Sequence, residues 1–276
     1  MTLINKTIET SSKSAYLFPG QGSQAVGMGK ELYESSSAAK ELLENIDNAL
    51  NRNLTGLMFN GPEDELKMTI NAQPAIMAIS LACIKAMNEN IAPSKVNSPI
   101  LLAGHSLGEY TALAVSEVLN IEDTAWLVQK RGELMQKACD QNPGSMAAIL
   151  GLDEMVVQEI AIETGTYISN INTPDQIVIS GDRINLARAL DLASLRGARK
   201  AVPLNTGEDI KNELITQICK SVQWNKTISY MMNNGISRFI EIGPGRALSG
   251  MMKRIDRKAN ISNISDMKTI INFSNN

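Results

Sequence analysis

The chain has 276 residues, 43% of them hydrophobic, which suffices for one large domain, or a large one with a small insert, around a sizeable core. Its 26 Lys and Arg stand against 29 Asp and Glu, a net charge of -3, so no global positive field gathers phosphate backbones and no nucleic-acid partner is expected. Cys83, Cys139 and Cys219 have long, unrelated spacings that fit neither a disulfide framework nor a metal cluster, which implies a reducing, cytoplasmic setting with no metal.

Residues 1–15 are polar, without the apolar run that a signal peptide needs. Ala15-Tyr16-Leu17-Phe18 is a short apolar run stopped by Pro19-Gly20, as a buried parallel strand would be. Helical patterns follow over 38–50, from Pro62 with acids in the first turn, and over 74–90. The longest apolar stretch, 75–84, falls well short of the ~20 residues of a membrane span, so it reads as a core helix and no membrane partner is expected. A second buried strand at 100–103 runs directly into a helix from Glu109, and a further helix covers 124–139.

After a loop at 140–144, strands at 146–150, 167–171, 177–180 and 200–204 alternate with helices at 153–163 and 182–195. Short strands alternating with two helices are the pattern of a small ferredoxin-like α+β insert. Helices at 209–220 and 224–234, a strand at 238–242 and a helix at 246–254 then resume the large domain. The expected fold class is α/β, with a large parallel-sheet domain at 1–143 and 205–276 and a ferredoxin-like subdomain at 144–204.

The junction between the second strand and its helix, Gly104-His105-Ser106-Leu107-Gly108, matches G-x-S-x-G, the nucleophile elbow, in the strand-turn-helix context that gives the match meaning. Glycines permit a sharp turn that leaves the serine hydroxyl exposed above the sheet edge, and unpaired N–H groups at the helix start can donate to a developing oxyanion. An ordinary Gly-rich turn with a serine N-cap also meets the pattern; the flanking strand and helix favour a nucleophile. Pro19-Gly20-Gln21-Gly22-Ser23-Gln24 also follows a strand, and with Ala25 it satisfies a dinucleotide fingerprint. The ribose-binding acid expected about 20 residues on is missing, since Glu41, Glu44 and Asp47 lie inside a helical pattern, and no Walker lysine is present. The loop then either brings a backbone N–H beside the serine or is a simple turn.

Phe18-Pro19-Gly20-Gln21-Gly22-Ser23-Gln24, Gly104-His105-Ser106-Leu107-Gly108-Glu109-Tyr110, Gln129-Lys130-Arg131, the run Asn172 to Gly181, and Glu241-Ile242-Gly243-Pro244-Gly245 stand in the order found in malonyl-CoA:acyl carrier protein transacylases, a family this chain resembles from about 15 to about 255. The resemblance implies an α/β-hydrolase-like large domain. It also implies that Ser106 accepts malonyl from coenzyme A and passes it to the phosphopantetheine thiol of acyl carrier protein in fatty-acid synthesis, by ping-pong transfer in a cytoplasmic monomer without a cofactor. Gln21 and Leu107 would be backbone donors of the oxyanion hole. Arg131 would clamp the malonyl carboxylate with its guanidinium fork, although spacing alone gives only a surface arginine. Lys253 and Arg254, with Arg257 and Lys258, would dock the acidic carrier by steering, or simply complement a helix C-terminus.

The family's general-base histidine should follow soon after the strand ending near Leu204, but the chain's one histidine is His105 and the residues after Leu204 lead straight to the helix at 209. His105 adjoins Ser106 and should point to the opposite side, as a buried structural residue. The histidine segment, a helix and a strand are therefore absent as one block. Omission of a segment of an active enzyme is favoured, because deleting a core strand exposes sheet edges and apolar faces. An inactive acyl- or carrier-binding relative, a chain with a different base, and a serine thioesterase or hydrolase are the alternatives.

Overall fold

The apolar runs that precede the two glycine-rich turns are neighbours in the central sheet. In the computed structural model, which describes residues 13–92, 98–141, 144–203 and 221–275, strand β1 (Ser14–Phe18) pairs in parallel with β2 (Leu101–Gly104) on one side and β7 (Arg238–Ile242) on the other. Strand β8 (Asn260–Ile264) extends the sheet in parallel beyond β7. Because Phe18 is level with Gly104 and Leu17 with Glu241, the segments leaving all three strands emerge at one edge. Carboxyl ends of parallel strands are where open α/β sheets build their sites.

Alternation along β1 supplies the two cores. Tyr16 and Phe18 join Leu43, Ile76, Ile79 and Leu107 on one face, whereas Ala15 and Leu17 join Trp224, Ile228, Phe239, Leu248 and Met252 on the other. The first face is covered by helices α1 (Lys30–Ser35), α2 (Ser37–Leu50), α3 (Leu54–Asn60), α4 (Glu63–Lys67), α5 (Thr69–Asn90), α6 (Gly108–Val115) and α7 (Ile121–Gln141). Ser36 caps α2 by accepting from the Ala39 N–H, and Asn53 caps α3 from Gly56. Helix α5 is long and apolar enough to cross a membrane, but it is packed between α2 and α7 with most of its residues buried. Its Cys83 is a free, buried thiol that burial pushes well above the usual thiol range.

The second sheet is antiparallel. Strands β3 (Ser145–Leu150), β4 (Tyr167–Thr173), β5 (Gln176–Gly181) and β6 (Lys200–Pro203), in the order β4-β5-β3-β6, carry α8 (Glu154–Thr164) and α9 (Arg183–Leu195). This is the ferredoxin-like arrangement, and all four strands fall inside 144–204. The chain returns through α10 (Trp224–Asn233), β7, α11 (Ala247–Ile255), β8 and α12 (Met267–Asn275).

The predicted helix at 209–220 lies outside the described residues. Helices α1, α3 and α12 and strand β8 were not foreseen: α1 and α3 are one to two turns long, and β8, Asn260-Ile261-Ser262-Asn263-Ile264, lacks the continuous apolar run of a buried parallel strand. Among the described residues, strand β2 ends the sheet. Leu101, Leu102 and Ala103 are only half-buried there, Ile100 is 58% exposed, and a hollow of about 930 Å³ runs along this edge against Ile84 and Met87 of α5.

Glu241 is fully buried at the end of β7 and accepts from the Leu248 and Ser249 N–H groups, at 3.0 and 2.8 Å, tying the start of α11 to the sheet. Burial raises its carboxyl above the ordinary value, against the lowering by these donors. A raised folded value means that stability is full below the ordinary carboxylate range and falls as pH rises through the raised value. Denaturant midpoints of the parent chain should therefore decline as pH rises above the ordinary carboxylate range, with a flatter profile in Glu241→Gln.

Candidate active site

Steric necessity shapes the elbow. A Cβ on Gly104 would stand 1.8 Å from the Gly108 carbonyl carbon, and one on Gly108 would stand 2.1 Å from the Phe18 oxygen. Both obstacles are backbone, which cannot rotate away. Gly108→Ala should lower unfolding stability by about 3 kcal/mol or more, read from the denaturant midpoint. Between the two glycines Ser106 takes φ 52°, a left-handed conformation uncommon for a side-chain-bearing residue outside such turns. Hydrogen bonds of the following turn begin with Gly108 N to His105 O and Glu109 N to Ser106 O, which leaves the Leu107 N–H among the free donors of a helix start.

The loop after β1 lies against this elbow, since a Cβ on Gly20 would touch the His105 oxygen at 2.7 Å. Gln21 comes next, anchored by its side-chain N–H to Thr69 Oγ1 at 3.0 Å. The loop does not open a helix directly: α1 starts only at Lys30, after Gly29 at φ 78°, so the dinucleotide geometry is absent here.

Arg131 is where the structure departs from spacing. It is half-buried rather than on the surface, and its Nη2 donates to Ser106 Oγ at 3.0 Å while Nη1 donates to Gln73 Oε1. The guanidinium also lies 5.6 Å from the Tyr110 ring centre. Gln73 was missed by sequence reasoning, although a glutamine on a helix that is otherwise apolar and buried is a signal, because a buried amide must find a partner.

His105 is 7% exposed, with Nε2 at 3.0 Å from Asn172 Oδ1 of β4 and its ring edge-on to Trp224. It is the buried structural histidine the sequence predicts, and it links the two subdomains. Among the described residues, the hydrogen-bond partner of the Ser106 hydroxyl is Arg131, which cannot accept a proton. Ser106, Tyr110 and Arg131 share a cavity of about 420 Å³ with Gln223, Trp224 and Thr227. Lys253 and Arg254 lie elsewhere, exposed in the last turn of α11: Lys253 Nζ donates to Ala259 O, and Arg254 Nη1 to Gln176 Oε1 of β5, each at 2.7 Å.

Residues 15–221 match the family model described as acyl transferase domain. The malonyl CoA-acyl carrier protein transacylase of Bacillus subtilis (strain 168) is 36% identical over 307 aligned positions, covering 94% of this chain and 95% of the relative. Among solved structures, the acyl-carrier-protein-S-malonyltransferase from Bartonella henselae superposes with a TM-score of 0.85 at 34% identity, over 94% of this chain and 98% of that one. A malonyl-transacylase in complex with its type II PKS acyl-carrier protein superposes at 0.86 and 30% identity, over 96% and 100%. An alignment of 307 positions exceeds the 276 residues present, so the Bacillus relative carries several tens of positions that have no counterpart here.

Proposed function

The chain belongs to the acyl transferase family, among the malonyl-CoA:acyl carrier protein transacylases, and from that premise we propose that Ser106 carries the malonyl group between coenzyme A and the phosphopantetheine thiol of an acyl carrier protein. The observation that carries the reading is the guanidinium of Arg131 held 3.0 Å from the Ser106 hydroxyl. A malonyl carboxylate lies two bonds from its thioester carbon. When Ser106 Oγ attacks that carbon, the carboxylate falls beside the arginine fork, which can bind it with two parallel hydrogen bonds. Acetyl leaves the fork without an anion.

The Leu107 N–H, and that of Gln21 from the neighbouring loop, would receive the oxyanion. Attack breaks the C–S bond and leaves a malonyl ester on Ser106; the carrier thiol then attacks the ester and restores the serine. The reaction we propose is malonyl transfer in fatty-acid synthesis with the carrier protein as partner; the complex of the related transacylase with its type II PKS carrier supports the partner. We place the protein in the cytoplasm as a monomer that needs no cofactor or metal.

Incubation with malonyl-CoA, followed by intact mass measurement, should give a malonyl adduct that moves to added holo carrier protein. Release of free malonate in place of carrier malonylation would overturn the transferase reading in favour of a hydrolase. The same spectrum weighs the unmodified chain against the 30.0 kDa of its sequence. Lys253 and Arg254 would steer the carrier from the α11 end, in which case their charge reversal slows transfer at low salt and leaves serine acylation unchanged.

A further inference from the structure

We propose that Tyr110 is a positioning residue for malonyl recognition: the face of its ring holds the Arg131 guanidinium in the plane that reads the malonyl carboxylate. The inference rests on the transferase reading above. Ser106 stands at the bend before α6, and Tyr110 lies in the first turn of that helix, where its N–H donates to Leu107 O at 3.0 Å. Arg131 arrives from the middle of α7, and its guanidinium carbon lies 5.6 Å from the centre of the Tyr110 ring, within the range of a cation–π contact. Ser106, Tyr110 and Arg131 line the same cavity of about 420 Å³, so the ring borders the space open to an acyl group on the serine.

The contacts that meet the guanidinium differ in what becomes of them when substrate arrives. Two use its N–H donors: Nη2 to Ser106 Oγ at 3.0 Å, and Nη1 to Gln73 Oε1. The first is given up during the reaction, because Oγ becomes an ester oxygen, a poorer acceptor, and the anionic carboxylate competes for Nη2. A carboxylate that takes both fork nitrogens competes with Gln73 as well. The ring face asks for no N–H. It attracts the cation through the quadrupole of its π-system, so this contact persists whether Nη2 faces the hydroxyl or the carboxylate.

An arginine side chain carries a large rotamer entropy, and a flat contact that survives both states keeps the fork ordered for its anion. The attraction belongs to the ring, so Phe can supply it and an aliphatic side chain cannot. Its effect falls on malonyl and spares acetyl, which presents no carboxylate to the fork.

The experiment places malonyl-CoA and acetyl-CoA in competition and reads the two Ser106 adducts by intact mass, a ratio that does not depend on how much of a variant is folded. Tyr110→Leu is expected to lower the malonyl preference roughly 10-fold, and Tyr110→Phe to keep it within about 2-fold of the parent. In an Arg131→Ala background, Tyr110→Leu should change the ratio no further, because the ring acts through the arginine. Binding of free malonate, read by ligand-observed NMR, should weaken roughly 10-fold in Tyr110→Leu and hold in Tyr110→Phe. An unchanged ratio in Tyr110→Leu, a loss as large in Tyr110→Phe, or a full effect in the Arg131→Ala background would overturn the inference and leave the transferase reading standing. A parent chain that forms no adduct with either donor would overturn the transferase reading; malonate binding that still separates Tyr110→Leu from Tyr110→Phe would then support the ring's hold on the arginine by itself.

Discussion

Ser106→Ala is expected to eliminate the malonyl adduct and to reduce transfer to the carrier protein to the uncatalysed background. A nucleophile with a matched base loses about 10⁶ when it is removed, but that figure includes the base, and residues acting as a unit are not additive. Here the serine's described partner is Arg131, which is no base, so the loss in transfer is well below that figure and the lost adduct is the decisive readout. The elbow itself should be undisturbed, because its sharpness comes from Gly104 and Gly108. Unchanged denaturant midpoints alongside the lost adduct would therefore assign the effect to chemistry. A persistent adduct in the variant would mean that another side chain carries the acyl group.

Arg131→Ala is expected to lower kcat/KM for malonyl-CoA by about 10² to 10³, with little change for acetyl-CoA. Removing one partner of a hydrogen-bonded charge pair in a half-buried site costs about 2–5 kcal/mol, and that magnitude sets the range. Arg131→Lys should recover only part of the loss, since an ammonium can neither fork onto a carboxylate nor keep both the Gln73 and the Ser106 contacts. Competition between the two acyl donors in one assay gives the discrimination ratio directly. Equal losses for malonyl and acetyl would instead show that the arginine positions the serine without reading the carboxylate.

Much of the architecture was legible because its signals are local. Strand β1 and the strand-turn-helix around Ser106 announce themselves through apolar runs and glycine spacing, and the helices of the ferredoxin-like part through Asp153 and Asp182, each of which accepts from the first-turn N–H groups as an N-cap. The elements that escaped, α1, α3, α12 and β8, are short or lack a strong apolar period, so packing rather than propensity decides their state. Of the candidate site, the elbow and its glycine-rich partner loop could be read directly. The arginine could be named only by resemblance, and Gln73, Asn172 and Gln223 were not recognised as parts of the site.

The sequence alone determined a hydroxyl on a forced bend, because the two glycines that make the bend lie within two residues of Ser106 and answer to backbone sterics. It also determined that no second imidazole exists in this chain. Only the tertiary structure decided what meets that hydroxyl. Arg131 is 25 residues from Ser106 on one side and Gln73, 58 residues from Arg131, lies on the other, and they converge because helices α5 and α7 pack side by side. Residue spacing reports neighbours one helical turn or one strand pair away, whereas a charge brought to a nucleophile depends on which helix faces pack together.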